Sequence, residues 1–182
     1  RVLSHFIFHG FGEPGAELGE AHIRIRPRRG GDRHTHDPER AAVHADVMAN
    51  GWSEKKQSFV QYYGTDALDA SNLVIPMVHF LPRDHPRVRG TVLATIRELT
   101  SDDQELVYRY RNDDGLPGEE GVFSICTFWL AEALALCGEI DRAERIFQRM
   151  LKHANHVGLY SEELNPETGE FLGNHPQAFT HI

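Results

Sequence analysis

Apolar residues recur at helical spacing in several segments of the chain. In residues 86–99, Val88, Val92, Ile96 and Leu99 follow one another at steps of three or four, which predicts a helix with one apolar face. Polar caps, glycine stops and the same spacing predict six helices in total, over about 37–49, 69–80 (kinked at Pro76), 86–99, 121–138 and 141–155, and one that begins at Asn174.

Two of these helices differ in how much of their surface is apolar. Segment 121–138 is apolar almost all the way round, which predicts a buried helix that ends at Gly138. The next helix, from Asp141, has apolar residues on one side and charged residues on the other. A buried helix joined to a half-exposed one fits a two-layer helical toroid and a helical bundle equally well. Both are all-α folds.

The regular pattern begins only after residue 36. Residues 1–36 are rich in glycine and arginine, and only Ala21–Arg26 could form a short strand. Residues 37–182 are expected to form one domain with a sizeable core. The last predicted helix is cut short at Ile182, which predicts that the chain is a fragment.

Composition and charge exclude several classes of protein. The 182 residues are 40% hydrophobic and 25% charged, as in soluble globular proteins, and no apolar run reaches the roughly 18 residues that span a membrane. A net charge of −8 argues against binding to nucleic acid. Cys126 and Cys137 are interpreted as reduced core residues, and His34 and His36 as an incidental exposed pair. We therefore expect no metal ion and no cofactor.

Carboxylates concentrate in two polar linkers, 107–123 and 158–174, which flank one helical hairpin. Loops on a rigid scaffold often carry catalytic groups, but Asp, Glu and Gly are also common in solvated turns, and the pattern alone leaves both interpretations open. Two carboxyl groups in a cleft would suit glycosidic hydrolysis. If the chain is extended at Glu162 and Glu163, these neighbours point to opposite sides and cannot share one pocket.

Four longer motifs carry a resemblance to a known family. They are SFVQYYGTDALDAS (58–71), FLPRDHPRVRGTV (80–92), VYRYRNDDGLPGEEGVFSICTFWLAEALALCG (107–138) and VGLYSEELNPETGEFLGNHPQAFTH (157–181). In sequence and order they resemble glycoside hydrolase family 15, which includes glucoamylases, glucodextranases and bacterial trehalases. The resemblance implies an (α/α)6 toroid, of which this chain would be about half, and hydrolysis of α-glucosidic bonds with inversion at the anomeric carbon.

The resemblance also implies roles for individual residues. Glu162 matches the general base, which takes a proton from the attacking water. Arg109 and Tyr110 match an arginine–tyrosine pair that contacts the sugar at the cleavage point. Glu119 and Glu120 match acidic groups that surround the acceptor sugar. Glu163 and His181 are further candidates for substrate contact because they lie near Glu162; the alternatives are a structural role for Glu163 and a core or capping role for His181.

Two features depart from the family pattern. The family's general acid lies in a Trp-Glu motif, and residues 1–50 contain no such motif; the surroundings of Glu13, Glu17 and Glu20 do not match it. The acid is therefore expected upstream of this chain, and the fragment alone is expected to be inactive. His175 also stands where the family has an aromatic residue.

The expected partners follow from these features. The substrate would be an α-glucoside or α-glucan, and by analogy with bacterial relatives the protein would be cytoplasmic. The inner helix faces of half a toroid would be covered by the missing N-terminal half or by a second copy of the chain. The alternative function is a non-catalytic, carbohydrate-binding or regulatory remnant of the same fold.

Overall fold

The structure is a computed structural model that describes residues 38–103, 105–112 and 120–181. The described residues from 46 onward form one compact unit. The predictions made for residues 1–36, including the His34 and His36 pair, and for Glu119 lie outside the described residues. The described part contains four α-helices: α1 (Pro38–Asn50), α2 (Pro86–Glu98), α3 (Ser124–Leu136) and α4 (Ile140–Leu151).

Helices α3 and α4 form the hairpin that the sequence predicts. No residue of helix α3 is exposed, in keeping with its apolar sequence, but its fully buried residues, among them Cys126, Leu130 and Leu134, lie on one half of its surface and the other half is only partly buried. Gly138 makes the turn with a φ of +87°, a conformation that residues with a Cβ rarely adopt. Helix α4 is amphipathic and buries one stripe.

Five strands of two residues each form two small antiparallel sheets among the described residues. β1 (Trp52–Ser53) pairs with β2 (Ser58–Phe59). The second sheet has the order β3–β4–β5, with β3 at Val122–Phe123, β4 at Glu163–Leu164 and β5 at Phe171–Leu172. The central strand β4 pairs on one side with β3, which directly precedes α3, and on the other side with β5, with which it forms the hairpin after Glu162.

A core cluster lies under this second sheet. Leu106, Val122, Met150 and Leu164 are each at most 1% exposed and pack together. The aromatic rings of Tyr108, Phe128 and Tyr160 cover the cluster. Because Val122 and Leu164 are also paired across β3 and β4, the cluster fixes the sheet to α4 through Met150.

The prediction of an all-α chain with about six helices is wrong for the residues described: four helices are present, and the sheets make the fold mixed. Of the predicted helix 69–80, only a 3₁₀ segment at Ala70–Val74 forms. Pro76 has no N–H to donate to Asn72, four residues earlier, and the Asn72 carbonyl accepts instead from Ile75, at 3.2 Å. His79 then adopts a φ of +56°, which ends the turn.

The predicted helix beginning at Asn174 also does not form as expected. Only a 3₁₀ segment at Ala178–His181 is present. The Asn174 side chain, expected to cap this helix, instead donates its amide to Glu162. Across the residues described, no helix is long and apolar enough to cross a membrane.

Candidate active site

The main chain of Glu162 is held on both sides. Its N–H donates to the carbonyl of Asn174, at 2.8 Å, and its carbonyl accepts from the N–H of Ser124, at 3.0 Å. Ser124 is the first residue of α3, and Asn174 follows β5 by two positions. Glu162 is therefore fixed between a helix start and the end of a hairpin, just before β4.

The Glu162 carboxylate is oriented through one of its two oxygens. Oε2 accepts from the Asn174 N–H at 3.1 Å and from the Asn174 side-chain amide at 2.8 Å. Among the described residues, no donor is hydrogen-bonded to Oε1. A half-buried carboxylate with one oxygen held and the other without a donor among the described residues suits a group that must accept a proton from water.

Gly173 allows the close approach to this carboxylate. Its φ is +67°, and a Cβ placed on it would lie 2.9 Å from Glu162 Oε2 and 3.1 Å from Glu162 Cβ. Both the backbone conformation and the available space therefore require glycine.

Glu163 has different partners from its neighbour. It lies in β4 opposite Phe123 and Leu172, and its Oε2 accepts from the Gly121 N–H at 2.8 Å. Burial raises the pKa of this carboxyl; the Gly121 hydrogen bond opposes the rise, and the negative charges of Glu120 and Glu162 add to it. The two adjacent glutamates are thus held by separate groups, and Glu163 keeps a proton to higher pH than an ordinary glutamate does.

Arg109 contacts the start of the 3₁₀ segment at Ala70–Val74. Its carbonyl accepts from the Ala70 N–H at 2.8 Å, and its Nε lies 3.9 Å from Asp69 Oδ2. The guanidinium carbon is 5.9 Å from the centre of the Tyr110 ring. Within the part of the chain that the structure describes, no hydrogen bond or ion pair joins Arg109 to Glu162.

His181 uses both ring nitrogens in main-chain contacts. Nε2 accepts from the Tyr160 N–H at 2.9 Å, and Nδ1 lies 2.7 Å from the Gln177 carbonyl oxygen. A carbonyl cannot donate, so Nδ1 carries the proton. His181 therefore ties the last 3₁₀ segment to Tyr160, two residues before Glu162; substrate contact by its ring stays a prediction.

A sequence model of glycosyl hydrolases family 15 matches residues 20–182. The chain belongs to this family.

Individual members of the family show how much of a whole protein the chain represents. It is 53% identical over 143 residues to a trehalase of Mycolicibacterium smegmatis. The aligned region covers 77% of this chain and 21% of that protein. It is 50% identical over 141 residues to a trehalase of Mycobacterium tuberculosis, with the same shares of the two chains. The chain thus spans about a fifth of the length of these curated relatives.

Solved glycosidases share the fold. A wild-type glycosidase superposes with a TM-score of 0.59 at 24% identity, covering 68% of this chain and 32% of that one. A variant glycosidase solved in complex with glucose gives the same TM-score at 23% identity. At this level of identity the likeness concerns the fold.

Sequence reasoning misses the groups that orient Glu162. Gly173 and Asn174 both stand in the family motif, but the local pattern predicts a helix cap at Asn174 and assigns no role to Gly173. Spacing does not indicate that these two residues fold back onto a side chain that precedes them by eleven and twelve positions.

Glu120 is exposed and close enough to Glu163 to influence its pKa. No group of three or more possible metal ligands occurs among the described residues.

Proposed function

We propose that this chain carries the general base of an inverting α-glucoside hydrolase and that Glu162 is this base. The observation that supports the proposal is the fixed Glu162 carboxylate, with Oε2 held by Asn174 and Oε1 without a hydrogen-bond donor among the described residues. A base held in this way can take a proton from water without first reorienting.

In the proposed reaction, Glu162 accepts the proton of a water that attacks the anomeric carbon. The bond from that carbon to the leaving oxygen breaks, and a general acid gives a proton to that oxygen. An inverting enzyme holds the two carboxyl groups about 6.5–9.5 Å apart so that the water fits between them. We propose that the acid lies upstream, outside these 182 residues.

Trehalose is the substrate that we propose, because the curated relatives are named trehalases. Arg109 and Tyr110 remain the proposed contacts to the sugar at the cleavage point; an arginine suits this role because its planar donors can bracket hydroxyl groups. The other proposed substrate contacts are Glu119, Glu120, Glu163 and His181.

The test is Glu162→Gln in the parent protein, by which we mean the native polypeptide that contains residues 1–182. Glutamine keeps an oxygen that can accept from Asn174 but cannot take a proton, so the fold should persist while kcat falls by about 10²–10⁴-fold. Trehalose hydrolysis and the melting temperature are measured together. Glu170→Gln, which changes an exposed glutamate of the same hairpin, is the matched control and should retain full activity.

Full activity in Glu162→Gln would refute the proposal. Binding of trehalose by the parent protein, with no glucose released over long incubation, would instead favour the non-catalytic carbohydrate-binding alternative.

A further inference from the structure

Asp69 is a buried carboxylate next to the proposed sugar-contacting arginine. The residue is 8% exposed, and its side chain is only 10% exposed in the ion pair, against 50% for the Arg109 side chain. A carboxylate this deeply buried needs hydrogen bonds or an opposite charge. Asp69 has one of each.

The hydrogen bond fixes the position of the carboxylate itself. Asp69 Oδ1 accepts from the Ser71 N–H at 2.8 Å and so caps the 3₁₀ segment. This capping role is the one that the sequence predicts. It leaves the second oxygen, Oδ2, facing the guanidinium of Arg109.

Two separate links then connect this cap to Arg109. The Ala70 N–H holds the Arg109 carbonyl at 2.8 Å, and Asp69 Oδ2 lies 3.9 Å from Arg109 Nε. The first link fixes the main chain. The second is an ion pair rather than a hydrogen bond at this distance, and it biases the direction of the guanidinium.

The charges of the pair also act on a buried thiol. Burial raises the pKa of the Cys126 thiol to about 12, the charge of Asp69 adds to the rise, and Arg109 opposes it. The charges of both residues therefore act on this buried thiol. Cys126 belongs to the first turn of α3, and Ser124 at the start of that turn holds the carbonyl of Glu162. The same helix turn thus carries a thiol that is influenced by the charges of the pair and an N–H that holds the proposed base.

We infer that Asp69 is a positioning residue that orients the Arg109 guanidinium for the sugar. The inference rests on the proposed function of the chain. Asp69 itself is too buried to touch the substrate, so it acts through Arg109. If Asp69 loses its negative charge, the pair no longer orients the guanidinium of the half-exposed Arg109 side chain.

Asp69→Asn in the parent protein separates the two roles of Asp69. Asparagine still accepts from the Ser71 N–H and caps as well as aspartate, but it removes the charge opposite Arg109. We expect kcat/KM for trehalose to fall by up to about 100-fold, because small misplacements of a binding group have effects of this size. The melting temperature should change little. Asp69→Ser, a second uncharged capping residue, should give the same result.

A double-mutant cycle distinguishes positioning from a general structural effect. In an Arg109→Ala background, Asp69→Asn should cause no further loss of kcat/KM, because the group on which it acts is absent. Asp103→Asn is the matched control: Asp103 pairs with Arg149 at 2.5 Å on the α4 side of the molecule, and its loss should leave kcat/KM unchanged.

Three results would overturn the inference: unchanged kcat/KM in Asp69→Asn, an equal loss in the Arg109→Ala background, or failure of both uncharged variants to fold. If these results appear while Glu162→Gln is inactive, only the inference about Asp69 fails. If Glu162→Gln is fully active, the proposed function fails first.

Discussion

Replacing Gly173 with alanine tests whether the position of the Glu162 carboxylate controls activity. The new Cβ would stand 2.9 Å from Glu162 Oε2 and 3.3 Å from its Cγ, where ordinary contacts begin at about 3.4 Å. Either the carboxylate or the hairpin must therefore move by several tenths of an ångström. The two hydrogen bonds from Asn174 would be strained by the same movement.

The expected effects have two separate sizes. A left-handed φ costs a residue with a Cβ about 1–2 kcal/mol of folding free energy, so the chain should be destabilised by that amount. A displacement of about 1 Å can cost a catalytic group about 100-fold, so a smaller displacement of Glu162 should lower kcat by about 10-fold or more. Stability is measured by urea unfolding of the chain, and kcat by trehalose hydrolysis in the parent protein.

Two variants separate backbone strain from the steric effect. Gly138 has a φ of +87°, and a Cβ added to it would have no other atom within 4 Å, so Gly138→Ala should lose similar stability but no activity. Gly173→Asn keeps the added Cβ and its clash but tolerates the left-handed conformation better than alanine, so it should recover only the stability lost to the left-handed φ and remain poorly active. Wild-type kcat in a folded Gly173→Ala protein would refute the reasoning, as would an equal loss in Gly138→Ala.

Two further predictions concern stability. The raised pKa of Glu163, caused first by burial and then by the charges of Glu120 and Glu162, means that the folded state keeps a proton that the unfolded state loses. The contribution of Glu163 to the free energy of unfolding is present below pH 4.5 and falls as the pH rises through the raised pKa. Urea unfolding of Glu163→Gln over the same pH range should lack this fall. A pH profile identical to that of the wild type would contradict the prediction. Met150→Ala should destabilise the core by about 2–5 kcal/mol, whereas Leu151→Ala, at a side chain 42% exposed, should cost far less; equal losses would contradict the packing.

The helices were predictable because their signals are local. The segment predicted at 86–99 forms a helix at Pro86–Glu98, with His85 as its cap and a proline in its first turn. The segment predicted at 121–138 forms a helix at Ser124–Leu136, after its first residues join β3. In each case apolar spacing and end signals a few residues apart determine the element.

The sheets were not predictable from such signals. Each strand has two residues, too few for an alternating pattern to emerge, and Val122 pairs with Leu164 far along the chain. The predicted helix at 69–80 is wrong for a different reason: Pro76 is visible in the sequence, but the prediction allows it only a kink. The lost donor instead leaves only a short 3₁₀ segment.

The candidate site depends on contacts that no local pattern contains. The first turn of α3 makes two of them: the Ser124 N–H donates to the Glu162 carbonyl, and Thr127 Oγ1 accepts from the Val107 N–H at 3.0 Å. The Cys126 thiol of the same turn is influenced by the charges of Asp69 and Arg109. Each partner comes from a different part of the sequence. Apolar spacing predicts the helix, yet it is the packing of these segments against one turn that sets where the proposed base and the proposed sugar-binding arginine lie. Substitutions that shift this turn should therefore disturb both groups together, whereas changes at Asn174 or Asp69 should disturb one at a time.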